Sequence, residues 1–302
     1  MAISVETARQ LYAEELRFTA NVASSAVLNA FATVPRECFV GPGPWRIKSP
    51  VRMGGYWTTA DAYPRHVYHD VLIALDEARG INNGQPSLWA GRFDQLNLSA
   101  GQHVVHVGAG TGYYSAILAE IIGRQGRVTA IEIDPQLAAR ARDNLVPWPQ
   151  ATVILADGLA FHADQPADAI VVNAGLSHIA MTWLDMLRAE GGQLLVPLTN
   201  SDRWGGLLLI ARKAAEALRY PAQFVSPVGI IHCVGGRDAA AEERLTAAMA
   251  RSRMANIRSL RRAPDEPDDT CWLAGEGWWL STAGVSDIRI PRDMTATLSK
   301  CR

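Results

Sequence analysis

The feature that most narrows the fold is a junction between residues 103 and 122. His103-Val104-Val105-His106-Val107 reads as a short strand, and it runs directly into Gly108-Ala109-Gly110-Thr111-Gly112. Tyr113 to Ile122 then reads as a helix, with Ala116, Ile117, Ala119 and Ile121 burying it on most sides. Glycines at alternate positions permit a turn that bulkier residues follow only with strain. They also leave backbone amides and a helix N-terminus open to a ligand at van der Waals distance.

The alternation of strand and helix continues downstream. Val128-Thr129-Ala130-Ile131 is a second apolar strand, and Asp134-Pro135 supplies a cap and a first-position proline for a helix through Leu145. Val153-Ile154-Leu155, Ala169-Ile170-Val171-Val172 and Gln193-Leu194-Leu195-Val196 are three more buried strands. A helix from Ser177 to Arg188, closed by Gly191-Gly192, is expected between the last two. Apolar strands alternating with helices call for a parallel sheet covered on both faces, so the fold class is α/β. Leu207 to Ala211 and Phe224 to Cys233 lie close enough in sequence to form an antiparallel edge.

The flanking segments differ in character. Ser4 can cap a helix from Val5, and Ser24 or Ser25 a second one carrying Ala26, Val27, Ala30 and Phe31, stopped near Pro35. Residues 41–70 open with Gly41-Pro42-Gly43-Pro44 and are rich in aromatics and imidazoles, a composition shared by pocket walls and by lids folded onto a core. Beyond Gly235-Gly236 a helix is expected from Ala239 to about Met254, then an acidic loop at 264–269 and two short segments around Trp272 and Trp278-Trp279. Three regions follow: 1–80, N-terminal helices and an aromatic-rich segment; 81–235, the α/β domain; 236–302, a helical, tryptophan-rich extension.

Composition excludes several classes of partner. With 29 basic and 30 acidic side chains the formal charge is −1, which gives no bulk attraction to nucleic acid or to an anionic membrane. No apolar run approaches the ~18 residues of a membrane helix. Cys38, Cys233, Cys271 and Cys301 are widely separated, and the expectation is a cytoplasmic protein with reduced thiols. Arg251, Arg253, Arg258, Arg261 and Arg262 are expected as a solvated face or as intersubunit salt bridges, and the C-terminal tryptophans as anchors to the core or to a second subunit. A homodimer is among the assemblies this allows.

Dinucleotides and S-adenosylmethionine (SAM) both use a glycine turn, and three further features favour SAM. Glu132 closes the second strand 24 residues after Gly108, where an acid can accept from both ribose hydroxyls, and Ile133 follows it. Asp157-Gly158 follows the third strand, placing a carboxylate for an adenine amine, and Asn173 ends the fourth strand at the crevice. Gly112 also falls one residue earlier than the dinucleotide pattern places its last glycine. The cofactor residues expected are Gly108, Ala109, Gly110, Thr111, Gly112, Glu132, Ile133, Asp157, Gly158 and Asn173, with Asn83, Gly84 and Trp89 covering the site.

The same residues carry a family resemblance. His103 to Glu120 strongly resembles the first motif of protein-L-isoaspartate O-methyltransferases, and Ile131 to Leu145 is similar to the next. Val34-Pro35-Arg36-Glu37-Cys38-Phe39-Val40 resembles the family's N-terminal signature; Asp168 to Val172 and Gly191 to Pro197 continue the match over residues 25–232. The resemblance implies a class I, Rossmann-like methyltransferase with a mostly parallel seven-stranded sheet, an antiparallel edge, and SAM contacts at the glycine turn, Glu132 and Asp157-Gly158. It also implies a Gly-Gln-Thr-Ile-Ser-x-Pro loop. Here the loop reads Gly80-Ile81-Asn82-Asn83-Gly84-Gln85-Pro86, so Gly84 stands at the serine position.

SAM brings its own leaving group, so a methyltransferase mainly aligns a nucleophile with the methyl carbon and excludes water. A carboxylate needs no base at neutral pH, whereas a hydroxyl or amine would want one. The sequence reading is O-methylation of a carboxylate on a small molecule or modified peptide. Isoaspartyl repair and a non-catalytic SAM-binding regulator are the alternatives. Asn82, Asn83, His66 and His69 are the catalytic candidates, and Tyr56, Trp57, Tyr68 and His178 the pocket walls. His66-x-x-His69 has the spacing of a metal pair but no convincing third ligand, so no metal is expected.

Overall fold

A computed structural model describes residues 3–49, 54–212 and 218–286; Cys301 lies outside them. The two N-terminal helices form where their caps allow. Ser4 Oγ accepts from the Thr7 N–H to start α1 (Val5–Thr19), and Ser24 Oγ accepts from the Val27 N–H to start α2 (Ser25–Thr33). Tyr12 and Leu16 of α1 and Val27 and Phe31 of α2 are buried at helical spacing. The aromatic-rich segment contributes two strands to a small antiparallel sheet made of β1 (Arg46–Lys48), β2 (Trp57–Thr58), β3 (Leu72–Asp76) and β4 (Ile81–Asn82), in the order β2-β1-β3-β4.

Next come α3 (Pro86–Leu96), β5 (His103–Val107), α4 (Tyr113–Ile122), β6 (Arg127–Glu132), α5 (Pro135–Asn144), β7 (Ala151–Leu155) and β8 (Ala169–Val172). They lead into α6 (Met181–Met186), β9 (Gln193–Thr199), β10 (Trp204–Ala211) and β11 (Arg219–Gly229). Strands β9-β8-β5-β6-β7 are parallel, and β5 has all five residues buried. Alternate residues feed two cores. Val104, Val128, Ala130 and Val171 pack towards α2, α3 and α4, while Val105, Ile131, Ile170 and Val172 pack towards Trp183 and Leu184 of α6.

Two expectations need correction. The helix expected from Ser177 to Arg188 is cut to α6, because neighbouring strands claim the preceding backbone. The Leu176 N–H donates to Pro197 O, the Ser177 N–H to Gly236 O, and Gly175 pairs with His232. The pair β10–β11 is antiparallel but does not end the sheet. After α7 (Ala239–Arg251), β12 (Ser259–Arg262) pairs with β11, and β14 (Trp278–Ser281) and β13 (Cys271–Gly275) follow outward. The result is one ten-stranded sheet, β13-β14-β12-β11-β10-β9-β8-β5-β6-β7. Trp272 and Trp278 are buried with Leu245 of α7 in the second core.

Of the expected basic face, Arg251, Arg253 and Arg258 are exposed, while Arg261 is buried. Arg251 donates to Trp272 O, Arg258 to Ala255 O and Ile257 O, and Arg262 pairs with Asp185. The guanidinium of Arg261, itself buried, lies 4.7 Å from the Trp279 ring centroid. These arginines tie the extension to its own chain. No helix among the described residues is long and apolar enough to cross a membrane.

Candidate active site

A crevice of about 860 Å³ opens outside the carboxyl ends of the parallel strands, where β5 lies between β6 and β8 and the direction of winding reverses. The glycine turn forms its floor. The N–H groups of Gly108 and Ala109 both donate to Ile131 O at the end of β6 (2.9 and 3.0 Å), pinning the turn to its neighbour strand. Gly110, at φ +60°, donates its N–H to Glu132 Oε2 (2.7 Å), and a Cβ placed on it would meet open space. The other Glu132 oxygen accepts from the Asp134 N–H (2.9 Å). Burial holds this carboxyl above the usual carboxylate range against the pull of those donors.

Ile133, Asp157, Gly158 and Asn173 line the same crevice. Asp157 Oδ1 accepts from the Leu159 N–H (2.9 Å), fixing the turn after β7. Gly158 must be glycine, since a Cβ there would lie 2.4 Å from Val107 Cγ1. The Asn173 N–H donates to Val107 O (2.8 Å). Gly112 faces the other way: at φ +93° it caps α4 and packs on Leu145, so its role is to shape the turn rather than to meet a ligand.

The opposite wall comes from the small sheet and α3. Asn82, Asn83, Gly84 and Trp89 all line the crevice. The Gly84 N–H donates to Asn82 Oδ1 (2.8 Å), and Tyr56 bonds to the Asn82 side chain, outside the lining itself. Asn83 is buried, and its Oδ1 accepts from Arg36 Nε (3.0 Å). Arg36, fully buried, spends its remaining four donors on the carbonyls of Val67, His69, Val71 and Gly84. One guanidinium thus holds both sides of the Asn82–Gly84 loop. Its only sequence signal is the third place of the Val34-Pro35-Arg36-Glu37 run.

Other expected residues are not in the crevice. Pro64 starts a tight turn (Pro64–Val67) that carries His66 onto Asp61, with Nε2 2.9 Å from Oδ1. His69 is exposed, and partial desolvation of its ring lowers its imidazole pKa. Tyr68 is buried and donates to Glu37, Trp57 is exposed, and His178 sits beside Ser177 Oγ (3.2 Å). None of these five lines the crevice. Among the described residues its one imidazole is His232, against Asn200 O at 3.3 Å.

Lys48, Tyr114, Arg203, Trp204 and Cys233 also line the crevice, and sequence reasoning did not find them. Tyr114 could have been inferred from its place in the first turn after the glycines. The Cys233 thiol is pushed up to about 11, first by burial and then by Asp157 and Glu132. It therefore stays protonated and a poor nucleophile.

An adenosyl ligand suits this donor set. Two carboxylates stand at the tips of adjacent strands, and the cradle at Gly110 is one that a side chain would fill. The hydroxyls of Thr111 and Tyr114, both on the lining residues, have no partner among the described residues.

Residues 7–224 match the model of a family described as protein-L-isoaspartate(D-aspartate) O-methyltransferase. Protein-L-isoaspartate O-methyltransferase 2 of Archaeoglobus fulgidus is 30% identical over 208 residues, which is 68% of this chain and 83% of that protein. Protein-L-isoaspartate O-methyltransferase 1 of Syntrophobacter fumaroxidans is 30% identical over 234 residues, 75% of this chain and 97% of its own length. A solved protein-L-isoaspartate O-methyltransferase shares the fold with a TM-score of 0.62 at 18% identity, covering 96% of this chain and 93% of that one. With more than half of its length matched by the family model, and a crevice built from the motifs of that match, the chain belongs to the protein-L-isoaspartate(D-aspartate) O-methyltransferase family.

Proposed function

We propose that this protein is a SAM-dependent carboxyl O-methyltransferase whose acceptor is a polypeptide, with the free carboxylate of an L-isoaspartyl residue foremost. The observation that carries this reading is the polarity of the crevice. Glu132 and Asp157 stand at the strand tips on one side. Lys48 of β1 and Arg203 beside β10 stand on the other, with the carboxylate of Asp202 next to Arg203, and neither cation is in an ion pair among the described residues. An acceptor that arrives as an anion is complementary to that second side and needs no base to ionise it.

When bound, SAM supplies a methyl group on a sulfonium, so transfer to a carboxylate breaks an S–CH₃ bond, forms an O–CH₃ bond, gives two neutral products and moves no proton. The chain's own residues bind and orient. The lone pairs that Glu132 keeps beyond its backbone donors are available to ribose hydroxyls. Asp157 would accept from an adenine amine, and the backbone of Gly108 to Thr111 would hold the amino acid portion; all of them line the crevice. Asn82, Asn83, Gly84 and Trp89 form the opposite wall. Holding both partners in line is worth several orders of magnitude in rate. The relatives named above act on protein-L-isoaspartate, which favours a peptide acceptor over a small molecule.

The test is methyl-labelled SAM with matched peptides that differ only in an isoaspartyl or an aspartyl residue. Base-labile methyl ester on the isoaspartyl peptide is expected. If calorimetry detects SAM but no ester forms on isoaspartyl or D-aspartyl peptides, the reading fails.

A further inference from the structure

The turn joining β9 to β10 is built around a strained arginine. Arg203 has φ +67°, a left-handed conformation that costs a residue with a side chain and that glycine or asparagine adopts more easily. The turn forces it there. Asn200 Oδ1 accepts from the N–H groups of Asp202 and Trp204, and the Arg203 N–H donates to Asn200 O (3.0 Å). The Ile230 N–H donates to Arg203 O (3.1 Å), locking the turn to the residue just after β11. From this position the guanidinium crosses to the β3–β4 turn. Its Nη1 lies 2.9 Å from where a Cβ on Gly80 would be, so the missing side chain at Gly80 makes room for it. The next residue, Trp204, is 63% exposed, and a Cβ on Gly229 would lie 3.2 Å from its ring.

An exposed indole contributes little to the core, and a strained arginine subtracts from stability; both line the crevice. Such pairs of aromatic and guanidinium groups dominate recognition surfaces. We infer that Arg203 and Trp204 form the acceptor-recognition subsite of the carboxyl methyltransferase proposed above, an inference that rests on that reading. Arg203 holds the acceptor carboxylate by a charge-assisted bond, and Trp204 receives the side chain next to it. The substrate class is an isoaspartyl segment with an aromatic or large aliphatic neighbour. The neutral ester loses the charge that Arg203 holds, so product binds more weakly than substrate.

The test uses the full chain with SAM and two isoaspartyl peptides identical except for tryptophan or glycine beside the isoaspartyl residue. Peptide binding to the protein saturated with the demethylated cofactor, S-adenosylhomocysteine, is measured in parallel by calorimetry. The tryptophan peptide is expected to bind about tenfold more tightly, and Trp204→Ala to bring the two peptides to within about twofold. Arg203→Gly is expected to raise Tm by relieving the backbone while weakening both peptides by about tenfold or more, with SAM affinity unchanged. Equal binding of the two peptides to the unaltered protein overturns the role of Trp204. Undiminished peptide affinity in Arg203→Gly overturns that of Arg203. If neither peptide is methylated the carboxyl-methylation reading fails, while the calorimetric arm still decides whether this rim binds peptides.

Discussion

Single residues do unequal amounts of the structural work, and Arg36 does the most. It has no carboxylate in direct contact among the described residues, and all five of its N–H groups end on one amide and four carbonyls. Arg36→Leu would leave those acceptors buried and unpaired, and a loss of about 3 kcal/mol or more is expected in urea unfolding. Arg36→Lys, with three donors, should retain only part of the loop's order and show a raised KM for the acceptor. His106 sets a pH dependence. It is wholly buried in β5 with Nδ1 2.8 Å from Ser115 Oγ, and burial pushes it down to about 4. The unfolded chain takes up this proton below pH ~6.5 and the folded chain does not until about 4. Folding therefore becomes less favourable as pH falls through that window. His106→Gln keeps a polar partner for Ser115 without the titration. The stability lost between pH 7 and 4 should shrink by an amount on the order of 2–3 kcal/mol. His69, His103 and His178, shifted the same way by partial burial, preserve an acid limb in the variant.

At the scale of elements, the sequence was most informative where structure is local. The span Tyr113 to Ile122 and the Asp134 cap need only glycine conformation, capping chemistry and periodicity, and both stand as expected. The helix over 177–188 failed because apolar periodicity cannot register that Leu176 and Ser177 bond to Pro197 and Gly236. His66 and His69 were misplaced because one proline turn redirects them, and Arg203 was invisible because its place depends on two separate hairpins. Asn82, Asn83 and Gly84 were legible through motif spacing alone. Gly84 has φ +75°, and a Cβ on it would lie 2.9 Å from Tyr114 Cε2. Gly84→Ser should therefore lower stability by about 1–3 kcal/mol, as a fall in Tm, and should not raise activity. A rise in both would mean that the loop has freedom to accept a hydroxyl.

For the molecule as a whole, the α/β core was readable because each parallel strand is a continuous apolar run. The joining of the extension to that sheet was not, since β12 to β14 are short and only β12 meets β11, from which α7 separates it in sequence. Trp278 belongs to the core that the extension shares with α7 and the main sheet. Trp278→Ala is expected to cost about 3–5 kcal/mol in chemical denaturation and, through β11 and β10, to weaken acceptor binding more than SAM binding. The ten-stranded order also has a consequence for biosynthesis. The strands that seal the β11 edge are the last of the described elements to leave the ribosome. A partly made chain therefore presents the unpaired backbone of Arg219 to Pro221, and a nascent molecule halted there is poised to stick to its siblings until the tryptophan hairpin arrives.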